Sequence, residues 1–322
     1  MKQQLSVGID IGGTNTAFGL VDHQGNVIAH GSIPTQNRER IEDFVSDLSL
    51  EIKTSLQSIP EESEIIGIGI GAPNGNYYSG TIEYAPNLRW KGVINLAQLF
   101  QQHFSCPAWV TNDANAAAMG EMIYGSARNM KNFIMITLGT GLGSGFVVNG
   151  ELVYGNDGFA GEMGHVIVEK NGRLCGCGRL GCLETYCSAP GIANTARELL
   201  QQSKINSSLR EIPIDEIGSK EVSAAAAQGD EIALEVFEKT GEILGLALAN
   251  AVALTSPQAI FLFGGPTQAG DILFQPIQKH FEANLLEIFK NKIQILPSGL
   301  PTGNAAIVGA SALVWNNLKI NP

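Results

Sequence analysis

Residues 7–31 read VGIDIGGTNTAFGLVDHQGNVIAHG, and residues 133–155 read FIMITLGTGLGSGFVVNGELVYG. The first stretch is an apolar strand, a Gly12-Gly13 turn, a second strand over Thr16 to Val21, a turn at Gln24-Gly25-Asn26 and a third strand. The second stretch repeats that grammar, with a Gly139-Thr140-Gly141 turn and an Asn149-Gly150 pair, a strong short hairpin signal. A pattern that returns after so long an interval predicts a duplicated domain, because solenoids and propellers repeat every ~20–50 residues.

Outward from the first stretch, Ile41, Phe44, Val45, Leu48, Ile52, Leu56 and Ile59 keep the spacing of one helix face, and residues 64–71 (EIIGIGIG) form a short apolar run of the buried-strand type. The second half follows the same order. It has a long helical pattern over Asp230 to Leu254, a strand over Ala259 to Phe263, a helix over Ile272 to Phe289, a strand over Lys292 to Leu296 and a helix near Gly303 to Trp315. A meander followed by strands alternating with helices predicts a mixed α/β sheet with helices on its faces, once per half. The expected division is a small half, 1–113 with 304–322, and a large half, 114–303, with a ligand in the cleft between them. The polar stretch from Gln201 to Gly218 is expected on the surface.

The 322 residues are 44% hydrophobic and 16% charged, a globular rather than a disordered composition. Twenty Lys and Arg against 31 Asp and Glu leave a formal charge of −11, which argues against nucleic acid or an anionic membrane as partner. The apolar stretch Ile243 to Leu254 falls short of the ~18–20 residues of a membrane span, and residues 1–6 lack a signal pattern. A cytoplasmic protein is expected.

Asp10, Gly12, Gly13 and Thr14 occupy the first strand-to-strand turn, where glycine lets backbone N–H groups approach phosphate and an aspartate at a strand end suits Mg²⁺. Taken alone, such a turn is commonly only a turn. Gly139, Thr140 and Gly141 occupy the equivalent turn of the second half, and Gly264-Gly265 follow a strand, so the three together read as a clamp for ATP. Asn112-Asp113 stands at a strand-to-helix junction after Ala108 to Thr111. Asp113 there reads equally as a helix cap or as the base that accepts a substrate hydroxyl proton. Glu162, His165 and Glu184 add polar groups suited to the vicinal hydroxyls of a sugar, against the plainer reading of a surface loop. Cys175, Cys177 and Cys182 are three thiols in a short glycine-rich stretch, and with His165 they make a closed Cys₃His set for a structural Zn²⁺ in preference to a disulfide. Cys106 and Cys187 fit no metal spacing and are expected to be buried.

DIGGT, NDANAA, LGTGLGSG, GEMGH, CGCGRLGCLE and FGG, in this order, resemble the ROK family of sugar kinases and repressors, and within it the bacterial glucokinases. The resemblance implies a duplicated actin-like, ribonuclease-H-like α/β fold of two domains around a cleft, dependence on ATP and Mg²⁺, a structural zinc and a homodimer. It implies that Asp113 is the catalytic base and that Asn87, Asn112, Glu162, His165 and Glu184 bind the sugar. Asp10, Gly12, Gly13, Thr14, Gly139, Thr140, Gly141, Gly264 and Gly265 match its nucleotide positions. Two departures stand out. Many members carry Lys where this chain has Asn15, so Mg²⁺ and backbone amides carry more of the phosphate charge. The stretch Asn74 to Tyr78 (NGNYY) differs from the Pro-Val-Asp type, and its aromatic bulk is expected to narrow the sugar entrance. The reading is an ATP-dependent kinase acting on the 6-hydroxyl of a hexose, glucose first. An N-acetylhexosamine or fructose kinase and a non-catalytic sugar-binding or repressor-type protein stay as alternatives. With DIGGT starting at Asp10, no DNA-binding helix-turn-helix is expected ahead of it.

Overall fold

A computed structural model describes residues 2–59, 62–301 and 303–319. Strands β1 (Gln3–Ile11), β2 (Asn15–Val21) and β3 (Val27–Pro34) form an antiparallel meander, and after α1 (Ile41–Gln57) strand β4 (Ser63–Gly71) pairs parallel to β1. A small sheet of β5 (Gly75–Asn76), β6 (Thr81–Glu83) and β7 (Val93–Ile94) and the short α2 (Leu96–Gln101) lead to β8 (Ala108–Thr111), parallel to β4. The order is β3-β2-β1-β4-β8. Beyond α3 (Asp113–Ile123), the chain repeats itself with β9 (Phe133–Leu138), β10 (Leu142–Val148) and β11 (Glu151–Leu152). Helices α4 (Glu184–Cys187), α5 (Ala189–Gln202), α6 (Ser219–Ala227) and α7 (Glu231–Thr255) intervene before β12 (Ala259–Gly264), α8 (Asp271–Asn284), β13 (Gln294–Pro297) and α9 (Ala305–Leu318). The second sheet runs β11-β10-β9-β12-β13, the same succession with the same parallel and antiparallel pairings. The Asn149-Gly150 turn has φ of 55° and 82°, the two positive values that a tight hairpin requires.

Helix α9 returns from the second half to lie on β1 and β4 and against α3. It is apolar on every side, with Ile307, Val308, Leu313, Val314 and Trp315 buried, because sheet and helix cover it from opposite directions. A β-carbon on Gly69 would come within 1.9 Å of the Ala310 carbonyl oxygen, so glycine in β4 is what lets this helix sit on the sheet. The expected small half ends with 304–322, of which 320–322 lie outside the described residues. Among the described residues no helix is long and apolar enough to cross a membrane.

Three expectations need correction. The helix over Ile272 to Phe289 stops at Asn284, because Leu285 turns extended and drops into the core, while Leu286 and Ile288 face outward. The stretch from Gln201 to Gly218 is not wholly superficial, since Leu209 and Ile217 are buried and pin it. Cys187 is buried as expected, but Cys106 is only partly so.

Candidate active site

Strand register places Asp10 beside Gly71, and Gly71 beside Thr111, so three parallel strands deliver their last residues to one end of the first sheet. Asn112 then caps α3, its Oδ1 accepting from the Asn115 N–H at 2.6 Å. Asp113 is therefore not the cap. Its Oδ1 accepts from the N–H of Ala114, at 2.9 Å, and the residue keeps an exposed side. Protein packed around the other sides of Asp113 pushes its pKa up, against the pull of that N–H. Burial, helped by the charge of Asp113, pushes Asp10 up to about 6.

Glu162 joins this group from the second half. Burial raises its pKa, His165 pulls it down, Asp113 and Glu184 push it up, and a hydrogen bond from Asn112 lowers it. Those four neighbours are four of the residues singled out from the sequence, and all four act on one carboxylate. His165 turns Nε2 toward Glu162 Oε2, 4.0 Å away, and Nδ1 toward Glu184 Oε1, 3.7 Å away. Glu184 reaches one step further, its Oε2 accepting from the Leu142 N–H at 3.4 Å, where a β-carbon on Gly141 would lie 2.8 Å from it. Glu184 thus touches the glycine turn of the second half directly.

That turn is closed by the Gly139 N–H donating to the Gly141 carbonyl at 2.9 Å. Gly264 pairs with Leu138 and has φ of 117°, and a β-carbon on it would lie 2.0 Å from the Leu138 carbonyl oxygen. Only glycine fits there. It brings Gly264-Gly265 alongside Gly139 to Gly141, with open space beside Gly139 and Gly265. In the first turn the Gly12 N–H is occupied, donating to the Asn15 carbonyl at 3.1 Å, and the Gly13 carbonyl accepts from Gln36 Nε2 at 2.6 Å. Thr14 is exposed. Asn87 sits against Gly13, and among the described residues no hydrogen bond links it to the group around Glu162.

His165, Cys175, Cys177 and Cys182 place one ligand atom each within 4.8 Å of one another. Cys177 and Cys182 have their sulfurs 3.6 Å apart, and Cys175 Sγ lies 3.6 Å from His165 Nδ1. Tetrahedral zinc with its usual bond lengths sets sulfurs about 3.8 Å apart and sulfur from nitrogen about 3.6 Å, so the set fits the ion, and 3.6 Å is far beyond a disulfide. Arg173 clamps the loop from outside. It donates to Glu198 at 2.8 and 2.7 Å and to the carbonyls of Thr185 and Gly191 at 2.7 and 3.1 Å.

Two contributors escaped the sequence reading. The buried hydroxyl of Ser144 donates to the Gly161 carbonyl and accepts from the Met163 N–H at 3.1 Å, fixing the backbone on both sides of Glu162. Tyr154 takes up the aromatic bulk expected at the entrance, since Tyr77 stacks on it. A serine in a strand and a tyrosine after a hairpin carry no signal of either role.

Two sheets of one topology, with carboxylates and glycine turns gathered between them, define the duplicated, actin-like ATPase fold. The chain belongs to the ROK family, whose sequence profile matches residues 6–317. The glucokinase of Halalkalibacterium halodurans is 36% identical over 292 residues, 89% of this chain and 88% of its own length. The crystal structure of a ROK family glucokinase from Streptomyces griseus, in complex with glucose and AMPPNP, superposes with a TM-score of 0.80 at 33% identity, covering 96% of this chain and 98% of that one. The xylose repressor of Bacillus spizizenii is 29% identical over 97% of this chain and 77% of its own length.

Proposed function

We propose that this protein is an ATP-dependent hexose kinase that phosphorylates the 6-hydroxyl of glucose, with Asp113 as general base. The observation that carries the reading is the convergence of Asn112, Asp113, Glu162, His165 and Glu184, joined through Glu184 to the Gly139 to Gly141 turn. Glucose and AMPPNP bound to the Streptomyces griseus glucokinase support both substrates.

In this reading Glu162, His165, Glu184, Asn112 and Asn87 hold the sugar hydroxyls, and the small half, 1–113 with 304–322, closes on the large half, 114–303, to exclude water. The Gly139 to Gly141 and Gly264-Gly265 backbones, with Gly12 to Thr14 opposite, hold the triphosphate. Asp113 takes the proton from the 6-hydroxyl as that oxygen bonds to the γ-phosphorus and the bond to the ADP oxygen breaks. Asp10, raised by burial and by the charge of Asp113, suits a divalent cation and is the residue that would hold Mg²⁺, which would supply charge neutralisation on the phosphates. Zinc on His165 and the three cysteines would fix the imidazole so that Nε2 stays on the sugar side. A homodimer in the cytoplasm completes the proposal.

The test is a coupled assay of ADP release across a panel of hexoses, with Asp113→Asn beside the native chain. Loss of basicity with shape preserved is expected to cut kcat by ~100-fold or more while the sugar still binds. Near-native turnover in that variant would remove Asp113 from the mechanism, and silence of the native chain with every hexose would remove the kinase reading.

A further inference from the structure

The segment after β4 reaches across to the opposite half. Tyr77 lies flat on Tyr154, ring centroids 4.1 Å apart and planes 5° from parallel, and donates its hydroxyl to Asn317 Oδ1 of α9 at 2.5 Å. Tyr78 meets Tyr154 edge-on and donates its hydroxyl to the Gly155 carbonyl at 3.0 Å. Asn76, almost fully buried, donates from Nδ2 to the Asp157 carbonyl at 2.8 Å, while its Oδ1 accepts from the Tyr78 N–H at 3.0 Å. Three consecutive residues therefore grip the loop that starts at Tyr154. That loop doubles back, the Ala160 N–H donating to the Tyr154 carbonyl at 3.0 Å, and runs into Gly161 and Glu162, where Ser144 holds its far end.

We propose that Asn76, Tyr77 and Tyr78 are positioning residues for the sugar: by fixing loop 154–162 of the opposite half, they set where Glu162 stands before substrate arrives. The proposal deepens the hexose kinase reading and rests on it. Two features separate the grip from ordinary packing. Tyr78 is 61% exposed, so its hydroxyl on a loop carbonyl counts for more than its apolar burial. The bonds from Asn76 and Tyr78 end on main-chain oxygens of the loop, so they order its backbone without touching any residue assigned to ATP. Ordering a loop in advance lowers the entropy lost when the ligand binds, and here the benefit falls on the sugar alone.

The experiment compares Tyr78→Phe and the pair Asn76→Ala/Tyr78→Phe with the native chain. Two readouts are taken, amide hydrogen exchange and steady-state kinetics with both substrates varied. Peptides over 155–162 are expected to exchange faster, and those over 139–141 and 264–265 at the native rate. Hexose KM is expected to rise by about two- to tenfold per lost hydrogen bond, with ATP KM unchanged and kcat moving less. Tyr78→Phe keeps the ring and decides the matter if the double variant fails to fold. Native exchange over 155–162 in Tyr78→Phe, or equal rises in both KM values, would overturn the proposal. If the native chain phosphorylates no hexose, the kinase reading fails by itself, and the exchange readout still decides whether the grip exists.

Discussion

Asp10 and Asp113 bring two carboxylates to one end of the first sheet, and the fold holds that charge at a cost. Asp10 is raised from 3.8 to about 6, so its protonated form is the one that the folded state favours. The resulting stability is complete below the unfolded pKa and is lost as pH rises through about 6. Asp10→Asn is therefore expected to melt higher than the native chain at about pH 7.5 and to show little gain at about pH 4, the difference being at most ~3 kcal/mol for two pKa units. Calorimetry at both pH values checks this, and equal shifts would contradict it. Kinase activity is expected to fall in the same variant, because an amide is a poor ligand for Mg²⁺. Asp113 points the same way kinetically. In the proposed role a base must be ionised to act, and a pKa above the ordinary Asp value is expected to move the acid limb of kcat/KM upward in pH.

The loop from His165 to Cys182 shows what an element adds to its residues. Four ligands of two types in one short stretch made the metal set legible in the sequence, since thiolates and an imidazole at such spacing have few other joint uses. The Arg173 clamp on Thr185, Gly191 and Glu198 was not legible, because an arginine's partners depend on how α4 and α5 pack, which no local pattern encodes. The clamp also shapes the outcome of removing metal. Cys177→Ser is expected to lower bound zinc from about one per chain toward none and to weaken hexose binding. The global melting transition should survive, because Arg173 still ties the loop to α5. Elemental analysis with hexose titration follows both quantities together, and a metal-free variant with native hexose affinity would separate zinc from the sugar site.

At the scale of the whole molecule, the duplicated meanders were readable because hairpin turns and strand alternation are local, and the matching orders of the two sheets follow from them. The contacts between the halves were not readable. Tyr77 finds Tyr154, Tyr78 finds Gly155 and Asn76 finds Asp157 only after both sheets exist. The aromatic pair after β5 was expected at the mouth of the sugar site, yet Tyr77 is committed to Tyr154 across the halves, so its bulk does not select the substrate by itself. In the proposed reading, selection falls instead to the wall made by Glu162, His165 and Glu184, whose backbone is held by Ser144 on one side and by the Arg173-clamped loop on the other. A wall fixed at so many points is expected to leave no room for an acetamido group. If these groups hold the 2-hydroxyl as proposed, its replacement would leave them without partners, and such losses reach on the order of 10⁴ in discrimination when several buried groups are involved. Glucose is accordingly expected to give the highest kcat/KM, mannose a lower one through its inverted 2-hydroxyl, and N-acetylglucosamine a poor one. The hexose panel with ADP release measures all three, and a higher kcat/KM for N-acetylglucosamine or N-acetylmannosamine would leave the kinase chemistry in place while showing that the wall yields beside the second carbon.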